Sequence, residues 1–401
     1  MATDEQQDGK LPIGALLALA MTGFICIVTE TLPAGLLPKI GSGLGVSASL
    51  AGQMVTVYAL GSLLAAIPLT IATQSWRRRT VLLLTIVGFL VFNSITALSS
   101  HYWLTLVARF FAGVSAGLAW SLIAGYARRM VVPQLQGRAL AVAMVGTPIA
   151  LSLGVPLGTW LGGFMGWRMA FGLMSGLTLV LIAWVLIKVP DYPGQSSSQR
   201  LPLRQVFFIP GVRSVLGVVF TWMLAHNILY TYVAPFVSKA GLASDVDFVL
   251  LAFGVAALAG IWVTGRLVDR HLRKTVLASL ATFAAVSVFF GFFSGSALAI
   301  YAGAFIWGLT FGGAATLLQT ALADAAGEGA DVALSMNVVV WNGAIAGGGL
   351  LGGVLLGQWG VSSFPWVLLM LLLLSLVIAS RARVHGFTQG DRQSSQMITG
   401  H

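Results

Sequence analysis

The stretch of sequence that decides the fold is residues 248–293, which read FVLLAFGVAALAGIWVT, then GRLVDRHLRK, then TVLASLATFAAVSVFFGFF. The two outer segments are continuous apolar runs, and each approaches the ~20 residues that an α-helix needs to cross a bilayer. Strands of a membrane barrel would alternate apolar and polar residues instead. The middle segment carries four Lys and Arg residues. We therefore predict two membrane helices joined by a basic loop.

The rest of the chain repeats this pattern. Of its 401 residues, 57% are hydrophobic and 8% are charged, and the mean hydropathy is +0.91, a balance that no water-soluble surface tolerates. Apolar runs between loop signals predict an all-α membrane protein with twelve helices in two pseudo-symmetric six-helix bundles. The predicted helices span roughly 12–37, 47–69, 80–99, 102–125, 139–163, 168–188, 212–236, 246–266, 275–294, 297–320, 332–357 and 363–381.

The distribution of Lys and Arg predicts the orientation. With twelve spans both termini lie on one side, and 18 of the 22 Lys and Arg residues fall on that side. Cytoplasmic loops carry such an excess, so we predict a multi-pass protein of the bacterial inner membrane with both termini in the cytoplasm. The net charge of +10 is spread over short loops, and no nucleic-acid partner is expected.

An internal repeat relates the two halves. A shift of 195 residues places Gly113 and Gly117 on Gly308 and Gly312, and places RRTVLLL at 78–84 on RKTVLAS at 273–279. One offset that serves several helices indicates a duplication. We predict the following organisation: an N-terminal tail at 1–11, six-helix bundles at 12–188 and 212–381, a cytoplasmic linker at 189–211 and a C-terminal tail at 382–401.

The loop GRLVDRHLRK at 265–274 resembles the loop signature of the major facilitator superfamily, although an ordinary basic loop remains the alternative. The resemblance implies that Gly265 permits close helix packing and that Asp269 pairs with a base and a helix end in one conformation. The bases of this gating loop are Arg270, Arg273 and Lys274. The first-half copy, TIATQSWRRR at 70–79, has Gln74 in the position of Asp269, so the usual acid-based latch is not expected there.

Two further motifs extend the resemblance over the whole chain. RFFAGVSAG at 109–117 is similar to a second signature of the family, and GVPLGTWLGG at 154–163 is similar to the glycine–proline signature of its proton-coupled exporters. The chain looks most like the twelve-helix drug:proton antiporters, in the branch that exports sugars, purine nucleosides and chloramphenicol. This resemblance implies a proton-coupled exporter that works by alternating access. Helix breaking by Pro148 and Pro156, with the neighbouring glycines, predicts a helix 5 hinge at Gly154, Pro156 and Gly158.

Only Glu30 and Arg109 place a formal charge well inside an apolar run. An ion in hydrocarbon costs at least ~2.5–3.5 kcal/mol, so each should face an aqueous cavity or a partner. Counting from Pro38 and from the start of helix 4, both should lie roughly 10–12 Å below the outer surface and meet. Glu30 is either a proton-coupling residue, a member of a static pair or an interfacial acid. Arg109 acts in conformational change or proton relay, or supports packing.

Helix 7 contributes a third candidate for proton coupling, His226, because histidine changes charge near neutral pH. A neutral packing role is the alternative. Aromatic and amide side chains on helices 7, 10 and 11 suit a cavity for a planar or hydroxylated solute, although helix packing explains any one of them equally well. The predicted cavity residues are Asn227, Tyr230, Trp307, Gln319, Asn337, Trp341 and Asn342.

Other chemistries lack sequence support. The chain has no GxxxxGK[ST] run and no Cys/His cluster with metal spacing, so no cofactor, metal or enzymatic activity is expected. The expected partners are a small organic solute, protons and the lipid bilayer, and the expected state is a monomer. A facilitative uniporter of the same fold and a membrane receptor without transport are the competing interpretations.

The predicted orientation is testable with reporter fusions. A reporter fused after Gln195 should lie in the cytoplasm, and a reporter fused after Ala240 should lie in the periplasm, because the distribution of Lys and Arg requires these locations. The measurement is paired alkaline phosphatase and fluorescent-protein activity. Periplasmic activity of the fusion at 195 would reverse the orientation.

Overall fold

The structure is a computed structural model that describes residues 11–73, 75–132, 135–194 and 202–388, and every regular element in these ranges is a helix. The side chains of Asp269, Glu328 and Asp331 lie outside the description. Among the described residues, twelve helices are long and apolar enough to cross a bilayer, which confirms the predicted fold class. They are α1 (Ile13–Leu44), α2 (Ala48–Ala72), α3 (Arg78–Leu98), α4 (Tyr102–Arg129), α5 (Arg138–Met165), α6 (Trp167–Lys188), α7 (Val212–Thr231), α8 (Val246–Val268), α9 (Arg270–Phe293), α10 (Ala297–Ala326), α11 (Val332–Trp359) and α12 (Val361–Arg381).

The structure departs from the predicted boundaries most clearly at the end of α1 and at the loop between α8 and α9. α1 continues through Pro33 and Pro38 to Leu44, because neighbouring groups in a membrane protein can satisfy the backbone that proline leaves free. The predicted basic loop at 265–274 is largely helical: a helical run covers Val246–Phe293, and its backbone departs from helical angles only at His271 (φ −134°, ψ 29°). The gating-loop residues therefore lie on the ends of α8 and α9.

The chain divides into two compact units, Met1–Ser198 and Gln199–His401. In the first unit α2 packs along α4, α3 packs along α4 and α6, and α1 contacts α2, α4, α5 and α6. The glycines of α4 permit its closest approach: a Cβ on Gly113 would overlap the carbonyl of Tyr58, and one on Gly117 would overlap the carbonyl of Ser62. Such small-residue faces let membrane helices pack at the backbone.

The second unit repeats this contact at the same offset. A Cβ on Gly308 would overlap the carbonyl of Phe253, and one on Gly312 would overlap the carbonyl of Ala257, so α10 packs on α8 as α4 packs on α2. α7 packs against α11 and α12. The offset of 195 residues thus relates the contacts as well as the sequences, which supports the duplication.

Helix connections and outer surfaces fit a bilayer. A single residue, Gly166, separates α5 from α6, and its φ of 93° is a conformation that side-chain-bearing residues rarely adopt. Large apolar side chains such as Leu98, which is 84% exposed, lie on the outside of the helices. Hydrocarbon solvates such groups at no cost, whereas water does not.

Candidate functional site

Arg109 lies inside the first unit and binds backbone carbonyls. Its side chain is 0% exposed. Nη1 donates to the carbonyl of Thr29 (2.6 Å), Nη2 donates to the carbonyl of Glu30 (3.3 Å), and Nε donates to the carbonyl of Met54 (3.2 Å). One guanidinium therefore joins α4 to α1 and α2 by hydrogen bonds. A buried charge requires this kind of full set of partners.

Two aromatic rings complete the surroundings of this guanidinium. Its Cζ lies 4.6 Å from the ring centroid of Tyr58 on α2 and 5.6 Å from that of Phe171 on α6. The faces of aromatic rings attract cations, and more strongly when water is excluded. Arg109 is thus held by three helices besides its own.

A proline explains why α1 offers a carbonyl to Arg109. In an α-helix the carbonyl of Thr29 would accept the N–H of residue 33, but Pro33 has no N–H. An unpaired carbonyl in the membrane interior costs several kcal/mol. Arg109 supplies the missing donor. The Thr29 carbonyl that Pro33 leaves free is thus hydrogen-bonded, and this bond joins α1 to α4.

Glu30 and Arg109 meet at the Glu30 backbone carbonyl, so they share a depth, but Glu30 lies further from the outer end of α1 than the count from Pro38 predicted. Because α1 extends to Leu44, Glu30 lies 14 residues before its end, which is about 21 Å along the axis. Within the described part of the chain, the Glu30 carboxylate makes no ion pair with Arg109 and accepts no hydrogen bond, and Glu30 is 7% exposed. The acid therefore sits beside a cation that is already engaged elsewhere.

Polar side chains that the sequence analysis did not single out surround this position. Asn93 on α3 donates from Nδ2 to Thr29 Oγ1 (3.0 Å), and Tyr58 donates from its hydroxyl to the carbonyl of Cys26 (3.0 Å). Asn93 Oδ1 is buried and has no partner among the described residues. Asn93 is the only amide side chain in the α3 sequence, and that isolation was a usable signal.

The predicted helix 5 hinge coincides with an irregular helix. Residues Ala150–Gly154 form a wide π-helical turn that ends two residues before Pro156, which supplies no N–H to the preceding turn. A Cβ on Gly154 would crowd Phe24 of α1, and one on Gly158 would crowd Leu32. α5 therefore combines a non-α turn with glycine contacts to α1, the helix that carries Glu30.

His226 lies in an aromatic cluster of the second unit. Its Nδ1 accepts a hydrogen bond from Trp307 Nε1 (3.1 Å), and its ring stacks on Phe311 at 3.4 Å between centroids. Tyr230 and Phe253 also contact the ring. A nitrogen that accepts a hydrogen bond carries no proton, so this imidazole is neutral. The geometry favours the packing alternative for His226.

The predicted cavity residues are only partly brought together. Tyr230 and Trp307 meet in the cluster around His226, and Asn227 contacts Gly348 of α11. Gln319 is exposed. The sequence analysis missed Phe253 and Phe311, although Phe311 follows Trp307 by four residues and so shares its helix face.

The three asparagines of the predicted cavity are buried. Asn227 and Asn342 each donate to a carbonyl of their own helix. Asn337 Oδ1 is buried and has no partner in the described residues. Trp341 is half-buried on the same helix. α11 thus carries an indole and an unsatisfied amide oxygen within five residues.

The gating-loop residues have separate environments. Arg273 is 9% exposed and donates to the carbonyls of Ala379, Ser380 and Phe387, so it caps the end of α12. Arg270 and Lys274 are exposed. A Cβ on Gly265 would meet no described atom within 4 Å, so this glycine makes no close helix contact among the described residues. The Asp269 side chain and all of Gln74 lie outside the described residues.

The pairing of Pro33 with Arg109 predicts a rescue. Arg109→Met should lower the unfolding temperature because the Thr29 carbonyl loses its donor, a loss of ~1–3 kcal/mol. Adding Pro33→Ala restores an N–H at position 33 and should recover about 1 kcal/mol of this loss. The measurement is thermal unfolding in detergent of both single variants and the double variant.

The matched control is Pro38→Ala in the same Arg109→Met background, which leaves the Thr29 carbonyl unchanged and should recover nothing. Additive effects of Pro33→Ala and Arg109→Met would contradict the arrangement.

Comparison with known proteins agrees with the fold. The sequence profile of the Major Facilitator Superfamily matches residues 19–347 and 243–394. The chain is 30% identical over 379 residues to the purine ribonucleoside efflux pump NepI of Escherichia coli O6:K15:H31 (strain 536 / UPEC), covering 92% of this chain and 94% of that protein. The same values relate it to NepI of Escherichia coli (strain K12) and of Shigella flexneri. These matches confirm the resemblance drawn from the loop signatures, and the chain belongs to the Major Facilitator Superfamily.

Proposed function

We propose that this transporter exports purine nucleosides across the bacterial inner membrane in exchange for protons. The observation that carries the proposal is the similarity to purine ribonucleoside efflux pumps over 92% of the chain. Alternating access would occur by rocking of the two six-helix bundles about a site near the bilayer midplane. Both termini would lie in the cytoplasm, and the transporter would act as a monomer.

The chemistry of the second unit suits a nucleobase. A purine presents a flat aromatic face and an edge of donors and acceptors, so its binding site needs an aromatic surface and amide groups. α11 offers Trp341, which is half-buried, together with Asn337 and its unsatisfied oxygen. Trp307 and Tyr230 lie in the packed cluster around His226 and would line the site from behind.

Proton coupling is assigned to Glu30 in the first unit. Because Arg109 is bound to backbone carbonyls, it can stabilise a negative charge nearby without neutralising Glu30 by direct contact. A carboxylate without a fixed partner can take up and release a proton at little structural cost. Glu30 would release its proton to the cytoplasm in one half of the transport cycle, and the solute would leave to the periplasm in the other half.

A facilitative uniporter of the same fold is the second candidate. It is favoured by the scarcity of acids, because Glu30 is the only one deep in an apolar run of the sequence. The glycine–proline motif of helix 5 and the similarity to efflux pumps favour the exporter.

Transport in everted membrane vesicles tests the proposal. Energised vesicles should accumulate a labelled purine ribonucleoside, and a protonophore should abolish the accumulation. Unlabelled purine ribonucleosides should compete, whereas pyrimidine ribonucleosides, a hexose and chloramphenicol should not. Uptake that equilibrates without accumulating would establish the uniporter, and competition only by another solute would change the substrate.

Glu30→Gln tests the coupling. The variant mimics the protonated acid, so accumulation of the nucleoside against its gradient should fall to the level of vesicles that lack the transporter. Downhill exchange of the nucleoside should persist. Asp247→Asn is the control, because Asp247 is an acid in the first turn of α8. It should keep the wild-type rate. Accumulation by Glu30→Gln at the wild-type rate would exclude Glu30 and direct attention to His226.

A further inference from the structure

The segment that follows α6 is hydrogen-bonded to residues 77–79, at the end of the first-half copy of the gating loop (70–79). The backbone N–H groups of Arg78 and Arg79 open α3, and they donate to the Tyr192 carbonyl (2.9 Å) and to Asp191 Oδ1 (3.1 Å). Arg77 forms an ion pair with Asp191 Oδ2. The first amides of a helix have no partner within the helix, so Asp191 and Tyr192 cap α3 from another part of the chain.

The end of α4 holds the same segment from another side. Tyr126 donates from its hydroxyl to the carbonyl of Pro190 (2.7 Å), and Arg129 donates from Nη1 to the carbonyl of Pro193 (2.9 Å). The rings of Tyr126 and Tyr192 also meet edge to face. Although the sequence analysis begins a flexible linker at 189, residues 189–193 are bound at nearly every position.

The repeat offset shows that the two halves carry their acids in different places. Gln74 corresponds to Asp269, and Asp191 corresponds to Gly386. At these two positions the first half therefore has its acid after α6 and not in the loop, while the second half has its acid in the loop and not after α12. The carbonyls of Tyr192 and of its counterpart Phe387 are both bound at the start of the third helix of their unit.

The electrostatics favour an anion at Asp191. The N terminus of a helix carries a partial positive charge, and charge-assisted hydrogen bonds to a carboxylate are stronger than neutral ones. Burial opposes ionisation of Asp191, but the hydrogen bonds from Arg77 and from the Arg79 backbone hold the pKa of this carboxyl below its ordinary value. Asp191 is therefore a carboxylate at neutral pH.

We propose that Asp191 is the acid of the first gate, replacing the loop acid that position 74 does not supply, and that its negative charge sets the rate of the transport cycle. Asp191 touches no solute, so it is a positioning residue: it fixes the start of α3 relative to the ends of α4 and α6. The effect on rate rests on the proposed function, whereas the capping contact does not.

The test compares variants that separate charge from hydrogen bonding. Asp191→Ala removes both, Asp191→Asn keeps an acceptor for Arg79 N–H, Asp191→Glu keeps the charge, and Gln74→Ala alters the loop position itself. Vmax and KM for the purine ribonucleoside are measured in vesicles, together with membrane abundance and unfolding temperature. Hydrogen exchange of a peptide that covers residues 78–80 reports the cap directly.

Asp191→Ala should speed exchange in this peptide and lower Vmax about fivefold, the scale expected for the loss of a cap. KM and abundance should be unchanged. Asp191→Asn should lower Vmax nearly as much, Asp191→Glu should keep it within about twofold, and Gln74→Ala should be silent.

Three results would overturn the proposal: unchanged exchange in Asp191→Ala, wild-type Vmax in Asp191→Ala, or wild-type Vmax in Asp191→Asn, which would mean that a neutral cap suffices. A wild-type protein that moves no nucleoside would refute the proposed function alone, and hydrogen exchange would still decide whether Asp191 caps α3.

Discussion

The interaction on which the first unit depends is the hydrogen bond from Arg109 to the Thr29 carbonyl. Every backbone group inside a bilayer needs a partner, and Pro33 removes the partner of this carbonyl. A neutral donor could satisfy it, but a guanidinium also reaches Glu30 and Met54, so one side chain fixes α1 and α2 on α4. The guanidinium of Arg109 also brings a positive charge. The carboxylate of Glu30, one residue after Thr29, lies in the electric field of that charge. The proton site of our proposal is therefore a consequence of how the helices are joined.

The second unit fills the equivalent space differently. At the repeat offset Arg109 corresponds to Ala304 and Tyr58 corresponds to Phe253. Where Tyr58 faces a cation, Phe253 faces Trp307 at 4.5 Å between centroids. The glycine contacts that set the backbone spacing are retained, so the duplicated frame has kept its packing while its interior changed from charged to aromatic. This difference agrees with our proposal, in which the first unit binds protons and the second unit binds a planar solute.

The sequence predicted what depends on local pattern. The lengths of the apolar runs identified the helices, and glycines at a fixed offset identified the close helix contacts. Both properties can be read from single segments of the sequence. Contacts between segments were harder to predict. The partners of Arg109 are backbone atoms without a sequence signal of their own, although a proline four residues after Thr29 and a single cation well inside an apolar run together point to them. Asp191 was missed because its position after α6 looks like linker, and only the fold brings it to α3.

The arginine contacts at the start of α3 and at the start of α9 differ in their exposure to solvent. The contact in the first half is an ion pair near water: the side chain of Arg77 is 68% exposed and that of Asp191 is 15% exposed, so solvent and salt weaken it. In the second half Arg273 is 9% exposed and binds two carbonyls at the end of α12 and the carbonyl of Phe387 beyond it. Separating a buried guanidinium from its acceptors exposes unpaired groups, which costs more than separating an ion pair at the surface. The Arg77–Asp191 ion pair is therefore easier to break than the contacts of Arg273, although Arg78, which corresponds to Arg273 at the repeat offset, is itself 8% exposed.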